Sequence, residues 1–290
     1  MNTIWSKNIQ GVQTLYSSRK LRFDDLFSEQ YLSLFNLETN KKLKILEIGC
    51  GPGALAIALQ RWYPNAEITA IDRDSDFIRF AKQAAPQINF IEGDATKLPF
   101  PNETFDVTIS NTVSEHIAPE LFFTEQARVL KQGGICLVLS ARKGIHIQAN
   151  MLNDNEFEQA FWQKVNELDN ALEQFEICRY PMNESELPMT MERFAFKNVS
   201  TGYVIADLTP DNPKFSIEKA IEIINANRIN DLEAVDSVAY KLPSAFLKDE
   251  IDVMKKRINE KYEARISDYL SQIKHWDTNT SITLVVRGIK

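Results

Sequence analysis

Three glycines at alternate positions, Gly49, Gly51 and Gly53, follow directly on a short apolar run from Leu43 to Ile48, and helix formers from Ala54 to Trp62 follow them. A strand, a glycine turn and a helix in that order make a ligand loop: glycine lets the backbone approach a bound group, and the helix N-terminus offers free N–H donors. Two chemistries fit. The stretch Gly49-Cys50-Gly51-Pro52-Gly53-Ala54 satisfies the G-x-G-x-x-A dinucleotide fingerprint, and Asp72 stands near the spacing of its ribose-binding acid. Against a pyrophosphate stands Glu47, a carboxylate inside the apolar strand two residues before Gly49. A strand buried on both faces has little use for a carboxylate unless it meets a donor. An acidic loop therefore points to a cationic ligand without phosphate. Asp72 closes a second apolar run, and Gly93-Asp94-Ala95 a third. Acids at successive strand ends lie on the edge where open α/β sheets bind ligands, one suited to a ribose and the next to an adenine amino group. Each alone also reads as a helix N-cap.

The elements that would position these residues alternate. Strand candidates at 43–48, 67–71, 88–91, 105–110 and 134–140 are separated by helical stretches at 54–62, 74–85 and 119–130. That spacing implies right-handed crossovers and a parallel sheet covered on both faces. Residues 1–42 read as an N-terminal helical segment. Beyond 143 the regularity fails: Phe157, Phe161, Val165, Leu168, Leu172 and Phe175 share one helical face. A strand over 199–208 is stopped by Thr209-Pro210-Asp211-Asn212-Pro213. Helices follow at 217–227 and 248–274, and the β-branched stretch 281–289 predicts a final strand.

Formal charge is −7, so the surface as a whole repels a phosphate backbone and nucleic acid is not expected as a partner. The run Lys255-Lys256-Arg257 alternates with acids and reads as a solvated helix face. Cys50, Cys136 and Cys178 stand far apart, in no metal-binding or disulfide spacing, which suits a reducing cytoplasm. The first seven residues lack the apolar stretch of a signal peptide, and no window approaches eighteen apolar residues, so no membrane span is expected.

With these motifs in order, the sequence resembles the class I S-adenosylmethionine-dependent methyltransferases, within them the small-molecule, methyltransferase-11/25-like group. Glu47 to Gly53 is similar to the family's first motif, Ile71-Asp72 to its second, and Gly93-Asp94-Ala95 with Leu98-Pro99-Phe100 to its third. Phe105-Asp106-Val107 with Ser110-Asn111 and Glu115-His116-Ile117 resembles the fourth, and Arg128 to Gly134 the fifth. The resemblance covers residues 43–140. It implies a doubly wound, Rossmann-like α/β fold with a seven-stranded sheet whose last strand is antiparallel. The core would be 43–143, completed by strands at 196–210 and 279–290. In the common pattern the last two strands form a hairpin; here some seventy residues separate them. The insertions 144–195 and 211–278 are expected to form a helical cap that selects the substrate.

The resemblance also implies S-adenosylmethionine as cofactor and a small-molecule methyl acceptor as partner, with a homodimer compatible. Glu47, Gly49, Cys50, Gly51, Gly53, Asp72, Arg73, Asp94, Ala95 and Asn111 would hold the cofactor. Tyr16 and Arg19, with Arg22 near them, lie in a segment that folds over the cofactor in related enzymes and meets its carboxylate. Methyl transfer is an in-line displacement governed by alignment, and a base is optional. His116 in the fourth-motif loop is the first candidate for one, with Glu115 and His146 behind it. The pattern Ser110-Asn111-Thr112-Val113 departs from the Asn/Asp-Pro-Pro-aromatic motif of enzymes that methylate exocyclic amino groups of bases or glutamine amides. Two rivals stay open: a non-catalytic S-adenosylmethionine-binding protein and an NAD(P)-dependent oxidoreductase.

Overall fold

The computed structural model describes residues 5–141, 147–149, 152, 155–168 and 178–290. The chain forms two compact units, one of residues 15–145, 177–206 and 281–290 and the other of residues 1–14, 146–176 and 207–280.

The first unit is built on a sheet. Its strands are β1 (Lys44–Ile48), β2 (Glu67–Asp72), β3 (Asn89–Glu92), β4 (Phe105–Asn111), β5 (Leu130–Ala141), β7 (Lys197–Asp207) and β8 (Thr278–Ile289), β8 belonging to this unit from residue 281 and β7 up to 206. The order is β3-β2-β1-β4-β5-β8, with β7 paired to β8 at the edge. β1 to β5 are parallel, and β8 is antiparallel to β5, Ile135 opposite Ile289 and Ala141 opposite Thr283. The fold is therefore the Rossmann-like one, with its seven strands and antiparallel final strand. Ile45, Leu46, Glu47 and Ile48 are all buried, as a parallel strand covered on both faces requires. The flanking helices are α2 (Val12–Arg22), α3 (Ser28–Phe35), α4 (Ala54–Trp62), α5 (Ser75–Ala84), α6 (Pro119–Val129) and α8 (Glu186–Arg193). Leu187 and Met191 of α8 are buried against the sheet core with Phe123, Phe196 and Val286. This apolar pair explains why part of the 144–195 insertion packs as core.

The second unit is mainly helical: α1 (Trp5–Asn8), α7 (Glu156–Glu167), α9 (Ile217–Lys241) and α10 (Lys248–Leu270). A capping box between Asn155 and Glu158 starts α7, and the Ser216 side chain accepts from the Lys219 N–H to start α9. Contacts of Arg228 with Glu263, Asp231 with Tyr262 and Asp236 with Lys255 make α9 and α10 an antiparallel pair. Their apolar faces meet Phe161 of α7 in a core with Ile224, Val235 and Met254. An eighth strand that the sequence did not suggest, β6 (Ile147–Ala149), pairs antiparallel with Thr278–Thr280. The helical face expected to reach Leu172 and Phe175 runs beyond the described residues. No helix among the described residues is long and apolar enough to cross a membrane.

Candidate active site

Parallel register brings the acids to one edge of the sheet. Ile48 lies beside Ile71 and Ser110, and Asp72 beside Glu92, so the residues that follow β1, β3 and β4 emerge level with Asp72. The glycine turn hangs from the next strand: the Gly49 and Cys50 N–H groups donate to the Ile71 carbonyl at 2.8 and 3.0 Å. Gly51 donates to Asp72 Oδ2 at 2.8 Å, and the Asp74 N–H to Asp72 Oδ1 at 2.9 Å. Asp72 thus fixes the turn while each oxygen retains a lone pair for a ligand hydroxyl. Gly49, Gly51 and Gly53 have φ of +69°, +53° and +87°. At Gly53 a Cβ would meet the Phe90 ring at 2.9 Å, so the third glycine sets the close packing of α4 on the sheet.

Glu47 is 2 % exposed, and its Oε2 is buried without a hydrogen-bond partner. Burial, then the charge of Asp72, holds its carboxyl well above the usual range. Burial likewise raises Asp72, against its two backbone donors. A cation bound here would reverse both shifts, whereas a pyrophosphate would aggravate them. The same burial pushes the Cys50 thiol far up, so Cys50 contributes its backbone rather than a thiolate. Asp94 is exposed, and its Oδ1 accepts from the Thr96 N–H and hydroxyl at 2.8 Å. Ala95 is half-buried beside it, and Arg73 is exposed after Asp72. Among the described residues no cluster of metal-ligating side chains exists.

Helix α2 covers the turn. The Tyr16 ring packs edge-on to Phe80 at 4.9 Å, and Leu15 Cδ2 would lie 3.3 Å from a Cβ on Gly51. Arg19 Nη2 donates to Thr112 Oγ1 at 2.8 Å, just past Asn111 at the end of β4. Burial, then the neighbouring Arg22, lowers the Arg19 pKa to about 9, so it remains charged at neutral pH. Thr112 has φ +54°, an uncommon strain for a β-branched residue and one found at functional sites. Its N–H is held by the Leu139 carbonyl at 2.8 Å. Leu15, Thr112 and Val113, whose Cγ2 closes over Gly49, were missed by sequence reasoning. None of them carries a chemical signature; their roles are steric.

His116 ends a single 3-10 turn, Ser114–His116, and its Nδ1 accepts the Cys178 N–H at 3.1 Å. The neutral ring then keeps its proton on Nε2 and can donate there but not accept. This geometry is against the general-base role expected of His116. Glu115 is half-buried beside it, its carbonyl accepting the Tyr180 N–H at 3.0 Å. His146 lies outside the described residues.

A family model described as a methyltransferase domain matches residues 46–138. The fatty-acid O-methyltransferase of Mycolicibacterium smegmatis is 41% identical over 103 residues, 34% of this chain and 37% of that one. The malonyl-[acyl-carrier protein] O-methyltransferase of Herminiimonas arsenicoxydans is 36% identical over 100 residues, 34% of this chain and 38% of that one. The match thus spans little more than a third of these relatives' own length. Among solved structures, phosphoethanolamine N-methyltransferase 2 of Haemonchus contortus, in complex with S-adenosyl-L-methionine, aligns with a TM-score of 0.53 at 15% identity. That alignment covers 99% of this chain and 59% of the other, and it shows a shared fold.

Proposed function

We propose that this chain, whose residues 46–138 match a methyltransferase-domain model, is a class I enzyme that moves a methyl group from S-adenosylmethionine to a small-molecule acceptor. The observation that carries the reading is the unpartnered, buried Glu47 oxygen beneath a glycine turn tied to Asp72. An acid-lined turn of this kind fits a ligand with a sulfonium and an ammonium group and repels a pyrophosphate, which disfavours the NAD(P) alternative. When bound, the cofactor supplies an electrophilic methyl carbon. The chain's residues align it: Asp72 takes ribose hydroxyls, Asp94 and Ala95 lie where the adenine is expected, and Arg19 meets the carboxylate of the methionine portion. Glu47, Gly49 and Gly51 would hold the ammonium end, with Asn111 at the end of β4 completing the cofactor-binding set. Alignment of the reacting atoms is itself worth several kcal/mol, about 7–11 in well-oriented intramolecular reactions. The insertions are the candidate for acceptor selection, and the cytoplasm, which suits three free cysteines, the compartment.

Calorimetry with S-adenosylmethionine, S-adenosylhomocysteine and NAD tests this. The first two are expected to bind, with Asp72→Ala weakening both by about 1.5–3 kcal/mol, the scale of hydrogen bonds to a charged group. Binding of NAD alone overturns the reading. Tight cofactor binding without any methylated product across a metabolite library would leave a binding protein instead of an enzyme.

A further inference from the structure

Arg19 and Arg22 stand three residues apart on α2, both half-buried, while Lys20 between them is exposed. Arg19 has Thr112; Arg22 has no hydrogen-bond or ion-pair partner among the described residues. A guanidinium drawn out of water beside a second one is costly unless an anion completes it. Burial lowers the pKa of Arg22 from its ordinary value, with only the Tyr31 hydroxyl acting in the other direction. Tyr31 is buried beside Thr283, which lies opposite Ala141 at the end of β5. Arg19 therefore stands at the end of β4, and Arg22 follows one turn on along the same face of α2. Glu47, Asp72 and Asp94 occupy the β1–β3 half of the sheet edge.

We propose that Arg22 seats the carboxylate of an acidic acceptor, so that the product is a methyl ester. The inference rests on the methyltransferase reading above and adds the substrate class. A guanidinium fork matches a carboxylate, which has lone pairs enough to accept from Arg22 and still present one oxygen for attack. That oxygen forms a bond to the methyl carbon as the methyl–sulfur bond breaks, its electron pair leaving on sulfur. Carboxylate and sulfonium charges cancel, giving a neutral ester and a neutral thioether. No proton moves, so no base is needed, in agreement with a His116 ring whose Nδ1 is already an acceptor.

The test uses the full chain with octanoate as acid probe and octanamide as its uncharged match. Calorimetry is run in the presence of S-adenosylhomocysteine, and mass spectrometry follows a labelled methyl group from S-adenosylmethionine. Octanoate is expected to bind at least about tenfold more tightly than octanamide and to yield its methyl ester. Arg22→Ala is expected to lower kcat/KM for octanoate by about a hundredfold. Arg22→Lys retains part of the activity, and Arg22→Gln, which keeps length and polarity, loses it with S-adenosylhomocysteine affinity within about threefold of the parent. Unchanged turnover in Arg22→Ala or Arg22→Gln, equal binding of acid and amide, or no binding of octanoate overturns the inference alone. Failure of the parent protein to bind S-adenosylhomocysteine overturns the methyltransferase reading beneath it.

Discussion

Cys178 donates its backbone N–H to Nδ1 of His116 at 3.1 Å, joining the loop after β4 to the chain leading into α8. A ring held in this tautomer positions a loop and offers a donor through Nε2, and it removes no proton. His116→Asn, whose side-chain oxygen can accept from the same N–H, is therefore expected to keep activity within about tenfold. The loss of a true general base is about 10²–10⁴-fold. Steady-state kinetics of this variant across pH 6 to 9 decide between them: a loss of that size, with disappearance of a limb near pH 6.5, restores the base.

Gly49 owes its identity to its φ of +69° and to Val113, whose Cγ2 would clash with an added Cβ. Gly49→Ala is expected to cost about 1–2 kcal/mol for the left-handed backbone alone, plus whatever Val113 yields in moving. Gly49→Ala with Val113→Ala should recover the steric part and leave the backbone part. Urea unfolding of these two variants and of Val113→Ala alone measures this coupling, which vanishes if the two sites act independently.

Gln30 guards the edge of the sheet. Its amide donates to the Ile205 carbonyl at 3.1 Å and accepts the Ile205 N–H at 3.0 Å, so one side chain satisfies both backbone groups of a β7 residue as a neighbouring strand would. Tyr203 and Ile205 stand exposed on that strand, the kind of edge that invites pairing with a second chain. Gln30→Ala is expected to destabilise by about 1 kcal/mol and to raise self-association. Sedimentation at rising concentration checks it, and an unchanged monomer fraction removes the guarding role.

Arg265 is fully buried in the helical unit between Asp211 and Asp277, at 2.7 and 2.6 Å, and Asp211 Oδ2 also accepts the N–H groups of His275 and Trp276. Removing the cation strands two buried carboxylates. Arg265→Leu is expected to cost about 3–5 kcal/mol, read as a fall in the denaturation midpoint. Arg265→Leu with Asp211→Asn and Asp277→Asn should recover much of that loss; if the triple variant is no better, the triad is not the cause.

The alternation of strands and helices and the acids at the strand ends were legible because both follow from local rules: period, glycine, and the cost of a carboxylate in a parallel strand. Glu47 and Asp72 needed no tertiary information. The placement of α8 did not follow, because its few apolar residues, Leu187 and Met191, become core only once β8 has brought Val286 beside them. Nor did β6, three residues whose pairing depends on a segment some 130 residues away. Thr112 and Val113 were read as a departure from another motif, since sequence carries no sign that a threonine will adopt positive φ. Nor could sequence show what faces His116, since its Nδ1 accepts a hydrogen bond from Cys178, sixty-two residues on.

Glu47 couples stability to function. Its folded pKa lies above the ordinary value near 4.5, with burial as the main cause. Over pH values between the unfolded and folded pKa the unfolded chain has released a proton that the folded chain retains, so stability falls as pH rises through that window. Below about pH 4 both states are protonated and the penalty is absent. Glu47→Gln removes the ionisation while keeping the shape. Its melting temperature is therefore expected to exceed the parent's at pH 7 and to match it near pH 4. The same substitution takes away the negative charge offered to a cation, so S-adenosylmethionine affinity should fall by about 1.5–3 kcal/mol. Thermal unfolding at the two pH values, with calorimetry at pH 7, measures both. A variant that is no more stable at pH 7, or that binds the cofactor as well as the parent, would show that the Glu47 carboxylate is satisfied within the fold and reserved for no ligand.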